Sequence, residues 1–206
     1  MVQAPELHKA NMPYTVINRP YTAKDIPSCN FGPIGLLGFG MTTILLNIHN
    51  AGFYPVSAMI MAMGIFYGGI AQIIAGILGS RKGSTFAATA FISYGFFWLT
   101  LVAIWVMPEL GWTDPTPAGY MGWYLFIWGL FSFFMFIGTL KANRVLQIIF
   151  FLLFILFFLL AIHFWTGSEM ILKLAGWEGI LTGACAFYLA IAEVLNEQFG
   201  REVLPI

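Results

Sequence analysis

Charged side chains are scarce in this sequence. They make up 9% of its 206 residues, whereas about a quarter of the residues in a soluble globular domain are charged. They are absent from residues 26–80, 83–108, 115–140, 145–168 and 179–192. About 20 consecutive apolar residues span the hydrocarbon core of a bilayer. Runs of this length therefore exclude an ordinary soluble domain and predict a polytopic membrane protein.

Cysteines and catalytic groups are also scarce. The two cysteines, Cys29 and Cys185, lie far apart, and there is neither a CxxC motif nor a histidine at ligand spacing. We therefore predict no disulfide, no metal site and no cofactor. The net charge is zero, so the charge balance does not indicate a nucleic-acid partner. An enzyme is the least favoured function, because no nucleophile is paired with a base and no carboxylates are paired within a span.

Six apolar segments are predicted to cross the membrane, at residues 33–50, 56–79, 85–107, 119–140, 145–166 and 176–198. Lipid offers no hydrogen-bond partner to an open backbone, and the segments are too uniformly apolar for outer-membrane barrel strands, so each is expected to be a helix. The predicted fold class is all-α. We expect residues 1–29 to form an N-terminal tail without the order of a cleavable signal peptide. Residues 30–200 would form the six-helix transmembrane domain and residues 201–206 a C-terminal tail.

Basic residues are distributed unevenly between the predicted loops. Eight of the nine fall on one side of the membrane, and Lys173 stands alone on the other. The eight are Lys9, Arg19, Lys24, Arg81, Lys82, Lys141, Arg144 and Arg201. By the positive-inside rule, both termini are predicted to be cytoplasmic in a multi-pass protein of the inner, cytoplasmic membrane.

Small and polar residues recur on single faces of the first two spans. In the first, Gly40, Thr43 and Asn47 share a face that we expect to avoid lipid. In the second, small residues and one amide repeat at four-residue spacing: Gly64, Gly68, Gln72 and Gly76. This pattern is more typical of close helix packing than of a pore, and only Gln72 indicates a lining role.

Two polar side chains within the predicted spans each have two interpretations. The phenol of Tyr94 requires a hydrogen-bond partner in the membrane interior, which is either a threonine or backbone carbonyl, or a passing solute. Glu193 is the only acidic side chain that we place within a span. It either pairs with Arg201 as a structural carboxylate at the membrane end or serves as a proton site.

No Lys or Arg lies within any predicted span. A carrier that holds a carboxylate tightly would supply a cation or a broken helix end, because an unpaired ion is costly in a dry interior. The hydroxyls, amides and backbone groups of this chain suit weak hydrogen bonding of a small solute, with hydrophobic side chains at the narrowest point. The pattern favours a small-solute permease. A structural or partner-binding membrane protein, which would need no inward polar stripes, is the alternative of a different class.

From about residue 30 onward the chain resembles the acetate uptake transporters, the family of the bacterial succinate/acetate permease. The family's entrance signature, Asn-Pro-Ala-Pro-Leu-Gly-Leu, is matched by Asn30, Pro33, Gly35 and Leu36, with Phe31, Gly32 and Ile34 as departures. Six further motifs follow in order: FGMTT at 39–43, NIHNAG at 47–52, YGGIAQ at 67–72, SYG at 93–95, GTL at 138–140 and EVLNEQFGR at 193–201.

The resemblance implies a six-helix protomer with its own pore, assembled as a homohexamer in membrane lipid and similar in design to the acid-activated urea channels. It implies transport of acetate and, in some members, succinate. The mechanism would be either proton-coupled or channel-like. A channel for small neutral solutes such as urea is the runner-up, since the same charge-free lining would suit it.

The family's pore positions carry over to this sequence in three groups. The hydrophobic constriction corresponds to Phe39, Tyr94 and Leu153. A position where side-chain size tunes substrate choice corresponds to Ala186. Polar pore positions correspond to Thr42, Thr43 and Gln72. Because Phe31 replaces the first proline of the entrance signature, the entrance turn is expected to differ in shape.

Overall fold

A computed structural model describes residues 30–206 of the chain, in which six long helices are found and no strand. Each helix is long and apolar enough to cross a membrane. They are α1 (Gly32–Asn50), α2 (Ala58–Arg81), α3 (Thr85–Glu109), α4 (Ala118–Gly138), α5 (Arg144–Thr166) and α6 (Glu169–Phe199). The all-α fold class is confirmed. The predicted N-terminal tail, which contains Cys29, lies outside the described residues.

The ends of the first five predicted spans lie within two residues of the ends of α1 to α5. The predicted start of the last span, residue 176, is wrong, because α6 begins at Glu169. Gly167, in the left-handed conformation at φ 69°, ends α5, and Ser168 precedes α6, so the connection is only two residues long. A helix of 31 residues is about 46 Å long and exceeds the roughly 30 Å hydrocarbon core. Its ends can therefore carry charge.

The middle of α2 is a π-helix from Met63 to Ala71. Two glycines of this segment face α3 so closely that a side chain would not fit. A β-carbon at Gly64 would lie 2.7 Å from Val102 Cγ2, and one at Gly68 would lie 2.8 Å from Trp98 Cγ. The predicted glycine stripe therefore packs α2 against α3 within the protomer. π-helical segments are rare and occur frequently at functional sites.

Helices α1 and α6 approach each other through a second pair of glycines. A β-carbon at Gly40 would lie 2.8 Å from the Gly183 carbonyl oxygen, and one at Gly183 would lie 2.7 Å from the Gly40 carbonyl oxygen. Small residues of this kind allow membrane helices to pack backbone to backbone. The two helices run antiparallel, so this contact sets which residues of α1 lie level with which residues of α6.

The last residues of the chain fold back on α6. The Asn196 side chain accepts hydrogen bonds from the amides of Val203 (2.6 Å) and Leu204 (3.0 Å) and donates to the Leu204 carbonyl (2.8 Å). The Tyr188 hydroxyl donates to the Pro205 carbonyl at 2.8 Å. The predicted C-terminal tail is therefore attached along the final turns of α6.

Replacing Gly183 by alanine should destabilise the folded protein. The added methyl group would overlap the α1 backbone, and overpacking of this kind costs about 1 to 3 kcal/mol. Thermal unfolding in detergent measures the effect. The control is Gly119→Ala in the first turn of α4, where a β-carbon meets nothing within 4 Å. Equal melting temperatures for the two variants would contradict the close contact.

Candidate functional site

A layer of buried hydrophobic side chains joins α1, α3 and α5. The ring centroids of Phe39 and Tyr94 are 6.1 Å apart, and those of Tyr94 and Phe150 are also 6.1 Å apart. Leu153 follows Phe150 by one turn of α5 and belongs to the same buried cluster. The structure thus brings Phe39 and Tyr94 into contact. Leu153, the third residue that the family resemblance assigns to a constriction, lies one helical turn from Phe150, whose ring is near Tyr94.

The hydroxyl of Tyr94 is bound to α4. It lies 2.9 Å from Ser132 Oγ, and Ser132 donates its own proton to the Trp128 carbonyl at 2.8 Å. Tyr94 is therefore the donor in its bond to Ser132. The partner of this phenol is thus a serine of a neighbouring helix, whereas the sequence analysis expected a threonine, a backbone carbonyl or a passing solute. The aromatic ring is the part of Tyr94 that contacts Phe39.

Polar side chains of α1 and α2 border this hydrophobic layer. Thr42 is fully buried, and its hydroxyl donates to the Met63 carbonyl at 3.4 Å. Gln72 is also fully buried, and its amide nitrogen donates to the Gly68 carbonyl at 2.7 Å. Both predicted polar positions therefore lie against the π-helical segment of α2. Thr43 is buried as well, and its hydroxyl has no hydrogen-bond partner among residues 30–206.

Ala186 lies next to the constriction on the α6 side. It is fully buried, and its Cβ is 3.3 Å from the place that a β-carbon at Gly40 would occupy. Gly40 directly follows Phe39 in α1. A larger side chain at 186 would therefore press on the helix that carries Phe39.

The entrance residues form the first turn of α1, just after Asn30. Pro33 occupies a first-turn position, where its missing N–H is not needed. A β-carbon at Gly35 would lie 2.6 Å from Phe91 Cδ1. Leu36 is buried.

Phe31, which replaces the family proline, packs edge-on against Phe91, with centroids 6.5 Å apart, and lies under the ammonium group of Lys82. These contacts connect α1 to α2 and α3 without the first proline.

Amide side chains continue the polar face of α1 toward its C-terminal end. Asn50 donates to Asn47 Oδ1 at 2.9 Å, and Asn47 donates to the Thr43 carbonyl at 2.9 Å. The carboxamide of Asn47 packs directly on the backbone of Gly179 in α6. These side chains of α1 are uncharged hydrogen-bonding groups.

The turn after α1 is closed by Tyr54. Its hydroxyl donates to the Leu45 carbonyl at 2.6 Å, and its own carbonyl lies 2.7 Å from His49 Nδ1. That imidazole nitrogen must carry the proton, because a carbonyl can only accept. Burial raises the pKa of the Tyr54 phenol, which therefore remains a neutral donor.

Glu178 is an acidic side chain that the sequence analysis did not place within a span. It lies in α6, nine residues after the first residue of the helix. The Thr182 hydroxyl contacts Glu178 Oε1 at 3.2 Å, whereas the buried Oε2 has no partner among residues 30–206. The statement that Glu193 is the only acid within a span is therefore wrong. The signal was available, because position 178 falls inside the predicted segment 176–198.

The two glutamates lie at opposite ends of the bundle. Glu193 follows Gly183 by ten residues, or about 15 Å along α6. Gly183 is level with Gly40, and α1 begins only eight residues before Gly40. Glu193 is therefore level with the start of α1, and Glu178 is level with its end, near Asn47. Neither glutamate lies in the hydrophobic layer.

The comparisons with known proteins identify the family of this chain. Residues 16–204 match the GPR1/FUN34/yaaH family. The chain belongs to that family. The resemblance to the acetate uptake transporters, inferred from the residues, is confirmed.

Several members of the GPR1/FUN34/yaaH family are similar to this chain over most of its length. The succinate-acetate/proton symporter SatP of Escherichia coli strain K12 is 62% identical over 177 residues, covering 86% of this chain and 94% of SatP. The ammonia transport outward protein 2 of Saccharomyces cerevisiae is 34% identical over 177 residues, covering 82% of this chain and 62% of the yeast protein.

A solved structure of the bacterial acetate channel SatP superposes with a TM-score of 0.86 at 61% identity, covering 86% of this chain and 98% of that one. The chain is thus a multi-pass membrane protein with the fold of this GPR1/FUN34/yaaH family member. Within residues 30–206, no group of three His, Cys, Asp or Glu side chains could hold a metal ion.

Within this family fold, Tyr94 and Ser132 should be energetically coupled. Removing either hydroxyl from the buried pair should cost about 1 kcal/mol of stability. Removing both should cost less than the sum of the single effects. Thermal unfolding of Tyr94→Phe, Ser132→Ala and the double variant measures this, with Tyr120→Phe on the exposed face of α4 as the control. Additive losses would contradict the hydrogen bond.

Proposed function

We propose that this protein is a membrane permease that carries acetate, and related short carboxylates such as succinate, together with protons. The observation that supports this best is the similarity to SatP, a succinate-acetate/proton symporter, at 62% identity over 94% of that protein. The hydrophobic layer of Phe39, Tyr94 and Leu153 provides a pore constriction. The neutral-solute alternative, urea, is not favoured, because the similar proteins at 62% and 61% identity are named for succinate and acetate and for acetate.

Proton linkage follows from the distribution of charge. A short-chain acid has a carboxyl pKa near the model value of about 4.3 for glutamate, so it is almost entirely anionic at neutral pH. The six helices carry lysine and arginine only near their ends, at Arg81, Arg144 and Lys173. An anion would therefore meet no cation in the hydrophobic layer, and its desolvation would be costly. The neutral acid, or an anion accompanied by its proton, crosses more easily.

We further infer a homohexamer in the cytoplasmic membrane, with both termini in the cytoplasm. The hexamer rests on the family resemblance, and the orientation rests on the excess of basic residues on one side. Large apolar side chains such as Phe66, Trp123 and Phe134 are exposed on the protomer surface. This surface suits contact with membrane lipid and with neighbouring protomers.

Acetate uptake should rise as the external pH falls from about 7 to 5, because the neutral fraction of the acid rises about tenfold for each pH unit in this range. The measurement is the initial rate of uptake into proteoliposomes at clamped voltage. If Glu193 is the proton site, Glu193→Gln should flatten the profile, whereas Glu178→Gln should not. The opposite result would assign the site to Glu178.

The matched control is Glu197→Gln, an exposed glutamate one turn from Glu193 on the same helix. Its pH profile should equal that of the wild type. A wild-type rate that does not depend on pH, together with an acetate-dependent current, would indicate a plain anion channel and reject proton linkage.

Enlarging the constriction should change the choice of substrate. Leu153→Ala removes buried volume one helical turn from Phe150, whose ring is near Tyr94. Lactate should therefore gain relative to acetate by a factor that corresponds to about 1 to 3 kcal/mol. The measurement is the ratio of initial uptake rates, with the neighbouring Leu152→Ala as the control. If Leu153→Ala, Phe39→Ala and Ala186→Ser all retain the wild-type ratio, the filter lies elsewhere.

A further inference from the structure

Two buried polar atoms beside the hydrophobic layer have no hydrogen-bond partner in the described part of the chain. They are the indole nitrogen of Trp98 and the side-chain oxygen of Gln72. Trp98 is 2% exposed and Gln72 is 0% exposed. Buried groups of this kind are almost always hydrogen-bonded in folded proteins, and each exception requires an explanation. A small polar guest between the helices would provide one.

Both side chains are held against the same glycine. A β-carbon at Gly68 would lie 2.8 Å from Trp98 Cγ and 3.0 Å from Trp98 Cδ1, the atom bonded to the indole nitrogen. The Gln72 amide nitrogen donates to the Gly68 carbonyl at 2.7 Å. The methyl group of Thr42 also reaches this point, 3.0 Å from the same β-carbon position. Both side chains therefore contact Gly68, the indole at the α-carbon and the carboxamide at the carbonyl oxygen.

This pair lies next to the constriction. Trp98 follows Tyr94 by one turn of α3, and Thr42 follows Phe39 by one turn of α1. The Phe39 and Tyr94 rings are themselves in contact. A solute that passes the hydrophobic layer therefore arrives at, or departs from, the Trp98 and Gln72 pair.

The two atoms differ in what they can bind. The indole N–H only donates, and a carboxamide oxygen only accepts. The orientation of the Gln72 amide is determined by Gly68, because reversing it would place two carbonyl oxygens against each other. The buried hydroxyl of Thr43 also has no partner in the described part of the chain. Because a hydroxyl both donates and accepts, it does not discriminate between solutes that donate and solutes that accept.

A carboxylate and a carboxylic acid interact differently with this pair. The carboxylate offers only acceptor oxygens, so it can bind the Trp98 N–H but is repelled by the Gln72 oxygen. The undissociated acid has a carbonyl that accepts and a hydroxyl that donates. It can satisfy both protein atoms at once.

We propose that Trp98 and Gln72 form a binding site for the undissociated form of a short carboxylic acid, in which the Trp98 N–H binds the carbonyl and the Gln72 oxygen binds the acid hydroxyl. Trp98 is then a specificity-determining residue that the sequence motifs do not identify. The proposal rests on the proposed acetate transport and states which protonation form the permease recognises beside its constriction.

The wild-type protein provides the first test, through competition by neutral solutes of similar size. Acetamide offers a carbonyl and an N–H in the arrangement of the acid, whereas acetone offers only the carbonyl. The measurement is the initial rate of acetate uptake into proteoliposomes at pH 5.5. The concentration of acetamide that halves this rate should be at least about five times lower than the concentration of acetone that does so, as expected for one additional hydrogen bond. Equal inhibition by the two solutes would reject the donor–acceptor pair.

Trp98→Phe provides the second test, because it keeps an aromatic ring and removes the donor. The half-saturating acetate concentration at pH 5.5 should rise about 3- to 10-fold, as for loss of one hydrogen bond, with a smaller change in maximal rate. Gln72→Met should abolish the preference for acetamide over acetone. The control Trp105→Phe, a half-buried tryptophan two turns away on α3, should match the wild type.

The outcomes separate this proposal from the proposed function. If wild-type vesicles take up acetate no faster than protein-free vesicles, acetate transport itself is rejected. If uptake is present but Trp98→Phe retains the wild-type half-saturation and preference for acetamide, only the site is rejected. If Trp98→Phe does not reach the membrane, the wild-type comparison of acetamide with acetone decides alone.

Discussion

At the contact between α1 and α6, the backbones of Gly40 and Gly183 are so close that neither residue could carry a side chain. In a membrane, apolar side chains gain little by leaving lipid for another helix, so packing at small residues determines which helices adhere. Here the contact places Ala186 beside the helix segment that carries Phe39, and it brings Gly179 against Asn47. The glycines of α2 act in the same way on α3. The positions of the constriction and of its polar surroundings all depend on these close approaches.

The proposed constriction is an apolar layer that borders hydrogen-bonding groups. Asn47, Asn50 and Thr182 lie on one side, and Gln72 extends the polar surroundings beside the layer itself. Such an arrangement offers a solute exchangeable hydrogen bonds but no counter-ion. A small acid can then bind weakly at several points and be released again. A tight ion pair would instead hold it at one point. The same lining makes the protonation state of the solute, rather than a protein charge, the main electrostatic variable.

Much of the fold could be predicted from the sequence, because uninterrupted apolar runs have one physical solution in lipid, the helix. The start of α6 could not be predicted, because Glu169 and Lys173 lie on a helix that extends beyond the hydrocarbon core. Charged residues occur in such an extension as well as in loops, so they do not mark where the helix begins. The partner of Tyr94 could not be predicted either, because a serine 38 positions away is identified only by tertiary packing. Trp98 was missed for a related reason. In an aromatic-rich sequence, one indole differs from the others only by whether its N–H has a partner.

The π-helical segment of α2 has a consequence for the register of that helix. Successive residues of an α-helix are rotated by about 100°, and a π-helical turn contains an additional residue relative to an α-helical one. The segment Met63–Ala71 therefore rotates the second half of α2 relative to the first. Gly64 and Gly68 meet α3 before this rotation is complete, and Gln72 follows directly after the segment. If the same residues were wound as an ordinary α-helix, Gln72 and everything after it would be turned away from the interior by about a quarter of a circle for each additional residue that the π-helical segment holds.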